Sequence, residues 1–270
     1  MTRIDVPLFD LFGLIDKRLR AADRFGDGSP LRRAGLIIRA CQARTIQPRR
    51  ELPMSAPPTD HSQNFLALAA TYDALKFGEF QLKSGRVSPY FFNMGAIASG
   101  AGMKRLAAGY AAALTQAGID YDSLFGPAYK GIPLVATVAC ALADHGRDVP
   151  FTYNRKEAKD HGEGGTLVGA PLGQRVVIVD DVITAGTAVR EAIAMIRNAG
   201  SEVAGVLIAL DRQERGTDAR SPLQALAEDE GIPTVAVANL DDVIGYAEHT
   251  GLDAGTLAAI KRYRDEYGVA

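Results

Sequence analysis

From His61 onward, hydrophobic and polar positions follow a regular order. Apolar side chains in Phe65-Leu66-Ala67-Leu68-Ala69 and on through Leu75 recur at helical spacing, so a short helix opens this part of the chain. Residues 107–114 predict a second helix. An apolar run at 121–125 leads into Gly126-Pro127-Ala128-Tyr129-Lys130-Gly131, and helical spacing resumes over 132–142. That is strand, glycine-bearing loop, helix. The same order returns with a strand at 175–179, a loop and a helix at 189–198, and residues 203–210 add a further β-branched run. Strands alternating with helices predict an α/β domain with a central, mainly parallel sheet covered on both faces. The chain shows no internal repeat and no low-complexity tract.

The first 53 residues have a different texture: a short apolar and charged stretch at 6–20, a Gly-Asp-Gly-Ser-Pro break at 26–30, and Arg-rich sequence beyond. They read as a poorly structured leader, with the main domain expected over 54–270 and Met54 as a plausible true start. Asp5, Asp10, Asp16, Asp23 and Asp27 do not suit a transit peptide, and no signal-peptide core precedes a small-residue cleavage site. Charge divides in the same place. Ten Arg and one Lys against six acids give the leader +5, which leaves 19 basic and 26 acidic residues, or −7, beyond it. An acidic body is unsuited to broad phosphate neutralisation on nucleic acid, so any anionic ligand has to be met by a local cluster. At 270 residues and 47% apolar, the chain can bury a sizeable core. No run of eighteen apolar residues is present, and a cytoplasmic protein is expected. Cys41 and Cys140 lie far apart and form no CxxC pair, so both are expected to be small buried hydrophobes rather than metal ligands or a disulfide.

The strongest chemical signal is Val176-Val177-Ile178-Val179-Asp180-Asp181-Val182-Ile183-Thr184-Ala185-Gly186-Thr187-Ala188. A buried strand ends in two adjacent carboxylates, then a small-residue loop enters a helix. In open parallel sheets, ligands bind at the carboxyl ends of strands. The loop 184–188 suits a monophosphate: Gly186 permits close backbone approach, two threonine hydroxyls donate, and the helix that follows offers N–H groups and its positive dipole end. Carboxylates beside such a nest repel phosphate. They suit sugar hydroxyls and a nearby Mg²⁺ or other positive charge.

Three further segments carry candidate chemistry. The 126–131 loop sets glycines around Tyr129 and Lys130 at a strand end, which suits backbone and ammonium contacts to phosphate oxygens. Arg155-Lys156-Glu157-Ala158-Lys159-Asp160-His161-Gly162-Glu163-Gly164-Gly165 has almost no apolar side chain to anchor it, and an exposed, mobile loop is expected there. Leu210-Asp211-Arg212-Gln213-Glu214-Arg215-Gly216 follows a strand and brings Arg212 to the same crevice, where a planar guanidinium suits a bidentate grip on a carboxylate.

The 176–188 run resembles the phosphoribosyl-pyrophosphate signature of the type I phosphoribosyltransferases. Residues 60–270 as a whole are similar to the orotate phosphoribosyltransferases within that family, through the three segments above together with Phe77-Gly78-Glu79-Phe80-Gln81-Leu82-Lys83-Ser84-Gly85-Arg86-Val87-Ser88-Pro89-Tyr90-Phe91-Phe92-Asn93. The resemblance implies a type I phosphoribosyltransferase fold, with a small hood built partly from the segment after Ser62 and partly from the C-terminal helices. It implies transfer of ribose 5-phosphate from phosphoribosyl pyrophosphate to orotate. Asp180 and Asp181 would hold the ribose 2′ and 3′ hydroxyls, Thr184, Ala185, Gly186, Thr187 and Ala188 would form the 5′-phosphate cradle, and Val182 and Ile183 would be substrate-binding beside them. Lys83 would contact substrate, and Phe91 and Phe92 would meet the pyrimidine. Adjacent aromatics in an extended segment face opposite ways, so one can belong to the core while the other meets the ligand. Tyr129, Lys130, Arg155, Lys156, Lys159 and His161 would reach pyrophosphate, with Lys159 and His161 as the catalytic pair and Glu163 tuning the histidine. Arg212, helped by Thr184, would hold the orotate carboxylate. Mg²⁺ would arrive mainly on phosphoribosyl pyrophosphate, and the family resemblance implies a homodimer with shared active sites and no nucleic-acid or membrane partner.

Two other readings are weaker. A purine or uracil phosphoribosyltransferase would not need Arg212 or the Phe91-Phe92 motif. A regulator that retained the sugar-phosphate pocket but bound DNA would carry a degraded 155–165 segment and a basic binding domain.

Overall fold

The computed structural model describes residues 61–269 apart from 83, 160–164, 185 and 217–218; at 158, 159 and 165 it describes backbone only. The leader, Lys83, His161, Glu163 and Ala185 therefore lie outside the described residues. So does the Lys159 side chain.

Helix α1 (His61–Thr71) is followed by a hairpin of β1 (Leu75–Gln81) and β2 (Val87–Phe92), then α2 (Gly100–Ala117), β3 (Ser123–Gly126) and α3 (Gly131–Asp144). Next come β4 (Phe151–Lys159), β5 (Gly165–Gly169), β6 (Arg175–Val179), α4 (Thr187–Asn198) and β7 (Glu202–Asp211). The last elements are α5 (Pro222–Glu230), β8 (Thr234–Asn239), α6 (Leu240–His249) and α7 (Ala254–Tyr267). The opening helix is shorter than its apolar spacing predicts: Leu75 begins β1, and Asp73, at φ 56°, makes the turn between them.

The main sheet has six strands in the order β5-β4-β3-β6-β7-β8, with β3, β4, β6, β7 and β8 parallel and β5 antiparallel at one edge. Period-two alternation builds a core on each face. Leu124, Val177, Val179, Leu207 and Ala209 point toward Leu106, Tyr110 and Leu114 of α2 and Leu134 and Val138 of α3. Phe125, Val176, Ile178, Val206 and Ile208 point the other way, toward Val189, Ile193 and Ile196 of α4 and Leu226 of α5. The hydrophobic strand runs thus reflect burial on both sides.

The expected hood is present as the β1–β2 hairpin, packed beside α1 and α7. Phe92 lies 5.9 Å from Phe65 between ring centroids, and Tyr90 meets Tyr263 of α7 edge-on at 6.3 Å. Along β2, Ser88 and Tyr90 are buried while Val87 and Phe91 are exposed.

Two expectations need correction. Arg155–Lys159 belong to β4 and are not loop: β3 ends opposite Tyr153, but β4 continues, pairing with β5 at Asn154↔Leu167 and again at Lys159↔Gly165 with a shift of register between them. Pairing with β5 at both ends of this stretch keeps it extended where apolar anchors are lacking. Cys140 is exposed rather than buried, because α3 turns Leu134, Val135, Val138, Ala139 and Leu142 inward and leaves Cys140 on its outer face.

Candidate active site

Strand order decides where the site lies. From β3 the chain crosses through α3 to β4 on one side, and after β5 it returns to β6 on the other side of β3. The loops after β3 and β6 therefore diverge, and a crevice opens at the sheet's carboxyl edge, the usual place for ligands in an open α/β sheet.

The β3–α3 loop is folded tightly on itself. A Cβ on Gly126 would lie 2.3 Å from the Gly131 carbonyl oxygen, and one on Gly131 would lie 2.6 Å from Pro127, so only glycine fits at either position. The Ala128–Tyr129 peptide is cis. The Ala128 N–H donates to Asn154 Oδ1 at 2.8 Å, which fastens the loop to β4. Tyr129 is left 67% exposed, and Lys156 from β4 places its Nζ 5.0 Å from that ring. Lys130 reaches across to β6 and forms an ion pair with Asp181.

Both acids are buried just beyond the end of β6. Their backbone is held by β7: the Asp180 N–H donates to Leu207 O at 3.0 Å, and Asp181 O accepts from Ala209 N–H at 2.7 Å. The buried Tyr110 hydroxyl donates to Asp180 O at 2.9 Å. Asp180 Oδ1 accepts the Asp181 N–H at 2.9 Å. Burial pushes the Asp180 carboxyl up to about 6, with the Asp181 charge adding to the rise and its N–H and Lys130 opposing it.

The next turn forms a small cavity of about 130 Å³ lined by Asp180, Val182, Ile183, Thr184, Thr187 and Ala188, among others. Gly186, at φ 73°, precedes α4, and no side chain caps that helix. Thr184, Thr187 and Ala188 are exposed at its mouth. An uncapped helix N-terminus beside two hydroxyl side chains is suited to a phosphate group.

One strand further on, Arg212 lies just beyond β7. Its Nε donates to Glu214 Oε1 at 2.8 Å and its Nη2 to Ser88 Oγ at 3.1 Å, while the guanidinium sits 4.3 Å from the centroid of the Tyr90 ring. The hood thus meets the crevice through Ser88 and Tyr90. Of the paired aromatics, Phe92 packs on the core, whereas Phe91 turns to the opposite face and stacks on Phe80 at 5.4 Å. Sequence reasoning missed Asn154, Tyr110, Ser88 and Glu214. Asn154 and Ser88 had a usable signal, since each is a polar residue at a position where strand alternation predicts burial.

A crevice of this kind, with an acidic pair at a strand end and a phosphate-sized nest entering a helix, is a phosphoribosyltransferase site, and residues 93–235 match the family model described as phosphoribosyl transferase domain. The chain is 58% identical to orotate phosphoribosyltransferase of Xanthomonas euvesicatoria over 213 residues, 78% of this chain and 97% of that one. It is 56% identical to the enzyme of that name from Cellvibrio japonicus, covering 77% of this chain and 98% of that relative. The crystal structure of orotate phosphoribosyltransferase from Francisella tularensis superposes with a TM-score of 0.69 at 41% identity, covering 76% of this chain and 95% of that one. The chain belongs to the orotate phosphoribosyltransferases, enzymes of pyrimidine biosynthesis that transfer ribose 5-phosphate from phosphoribosyl pyrophosphate to orotate.

Proposed function

We propose that the loops after β3, β6 and β7 divide the two substrates of this transfer among them. The observation that carries the reading is the convergence of three features on one crevice: the buried Asp180-Asp181 pair, the uncapped α4 N-terminus, and Arg212 held one strand away. The turn 184–188 takes the 5′-phosphate, with Val182 and Ile183 beside it, and Asp180 and Asp181 accept hydrogen bonds from the ribose hydroxyls. Tyr129 and Lys130 contact the departing diphosphate, and Arg155, Lys156, Lys159 and His161 bring cations to it. Arg212 receives the orotate carboxylate, and Lys83, Phe91 and Phe92 complete the base site.

The reaction is a displacement at the anomeric carbon. The bond from C1 to pyrophosphate breaks, a ring nitrogen of orotate bonds to C1, and orotidine 5′-phosphate and pyrophosphate result. Charge develops on the sugar as an oxocarbenium-like state and on the departing pyrophosphate, so fixed cations on the leaving group lower the barrier. Lys159 has that role, assisted by His161. Orotate's nitrogen is acidic enough that no strong general base is assigned.

Mg²⁺ belongs to the same reading, as an ion borne mainly by phosphoribosyl pyrophosphate. The donor set fits this: Asp180 and Asp181 place carboxylate oxygens, the ligands a hard cation takes, at the crevice. When bound, Mg²⁺ neutralises charge on the diphosphate.

Residues 54–270 are read as the catalytic domain, acting as a cytoplasmic homodimer with shared active sites. Among the described residues no helix is long and apolar enough to cross a membrane. The deciding experiment follows orotate absorbance on addition of phosphoribosyl pyrophosphate and Mg²⁺, with uracil and adenine as competing bases. Consumption of orotate alone is expected. Preference for uracil or adenine would overturn the base assignment.

A further inference from the structure

Arg212 already holds a carboxylate, that of Glu214. Nε donates to Glu214 Oε1 at 2.8 Å and Nη2 lies 2.5 Å from the same oxygen, so Glu214 covers one edge of the guanidinium. The plane of the group is set by Tyr90, and Nη2 also donates to Ser88 Oγ. Ser88 is itself fixed, fully buried and donating to Tyr90 O at 2.7 Å. These contacts use Nε and Nη2, and Tyr263 of α7 lies close enough to the pair to act on its charge.

The pairing is built into the backbone. Gln213 has φ 48°, a left-handed turn that folds Glu214 back beside Arg212, and its N–H donates to Asp211 Oδ1 at 2.9 Å. The chain terminus braces the turn: Arg215 N–H donates to Tyr267 O and Val269 N–H to Gln213 O, each at 2.8 Å. Glu214 also accepts from the Tyr90 hydroxyl at 3.4 Å and faces Arg86 Nη1 at 3.9 Å. Its side chain is 13% exposed, against 22% for Arg212, so both partners are largely withdrawn from water.

We propose that Glu214 is a positioning residue for substrate recognition, fixing the edge that Arg212 offers to the carboxylate of the pyrimidine. The inference rests on the reading of Arg212 as the orotate clamp. Arginine has four rotatable side-chain bonds, and an unpaired guanidinium in a crevice that also admits a diphosphate would be drawn to that stronger anion. Pairing with Glu214 orients the group beforehand and offsets part of its charge. The remaining donors, on a group already oriented and partly neutralised, then suit a singly charged planar carboxylate better than the more highly charged diphosphate.

The test compares Glu214→Ala, Glu214→Gln and Arg212→Ala in the full chain, with kcat and KM measured separately for orotate and phosphoribosyl pyrophosphate. Glu214→Ala should raise the orotate KM about tenfold, with kcat and the phosphoribosyl pyrophosphate KM changed less than about twofold. Glu214→Gln, whose amide oxygen still accepts from Nε, should show a smaller rise. A merely structural role would move both KM values and the melting temperature together, and that result would overturn the proposal. So would an orotate KM that is unchanged or lowered in Glu214→Ala while Arg212→Ala raises it. If Arg212→Ala itself leaves the orotate KM level, the clamp reading fails and the proposal falls with it. Should the alanine variant not fold, the nearly isosteric Gln variant decides by the same split between the two KM values.

Discussion

Lys130 and Asp181 form an ion pair across the crevice between β3 and β6, joining loops that diverge from neighbouring strands. The lysine side chain is 59% exposed and the aspartate 9%, so a solvated cation balances a buried charge. The pair ties the two loops together. It also leaves the ammonium within reach of an incoming anion.

Removing one partner should therefore differ from removing both. Lys130→Ala leaves a buried carboxylate uncompensated and should lower stability by about 1 kcal/mol, a figure kept small because the lysine is well solvated. The Lys130→Ala/Asp181→Asn double variant should recover that stability without recovering activity. Urea unfolding and steady-state kinetics check both parts, and additive losses in stability would show that the pair is uncoupled.

Asp180 should set an acid limb in the pH profile. Its carboxyl is raised to about 6 chiefly by burial, so below that pH it is protonated and accepts fewer hydrogen bonds from the ribose. The value of kcat/KM for phosphoribosyl pyrophosphate, which reports the free enzyme, should fall as pH drops through about 6. The substrate's own phosphate titrates near ~6 as well, so the comparison with Asp180→Asn is decisive. In that variant activity should be low and the limb shallower by one proton; an unaltered slope would assign the whole limb to the substrate.

Lys159→Ala should lower kcat by about a hundredfold or more while changing either KM by less than about threefold, since a cation meeting pyrophosphate acts mainly as charge leaves the sugar. Single-turnover and steady-state rates would separate this from slow product release. An unchanged kcat would remove Lys159 from the catalytic role.

A chain of residues 54–270 should retain full activity and the melting temperature of the 270-residue chain, because every recognised motif lies from Phe77 onward. Mass spectrometry of the natural N-terminus would show directly whether translation starts at Met54. An inactive or unstable truncated chain would give the leader a role.

The sequence alone determined the alternating strand and helix order, the burial of the sheet on both faces, and the acidic pair that closes the buried strand before the turn into α4. Each depends on local rules: the periods of helix and strand, the freedom of glycine, and the run of β-branched residues that ends at Asp180. Tertiary structure decided what local rules do not reach. The ladder between β4 and β5 makes strand of 155–159, although composition there suggested a loop. Facing alternation on β2 sends Phe92 inward and Phe91 outward, a choice left open until the hairpin packed against α1. Lys130 and Asp181 are 51 residues apart, and Ser88 and Arg212 are 124 apart. Their pairing follows from the strand order and from docking of the hood. Glu214 sits two residues from Arg212, yet its role emerged only from a left-handed turn at Gln213 and from the C-terminal segment that holds it in place.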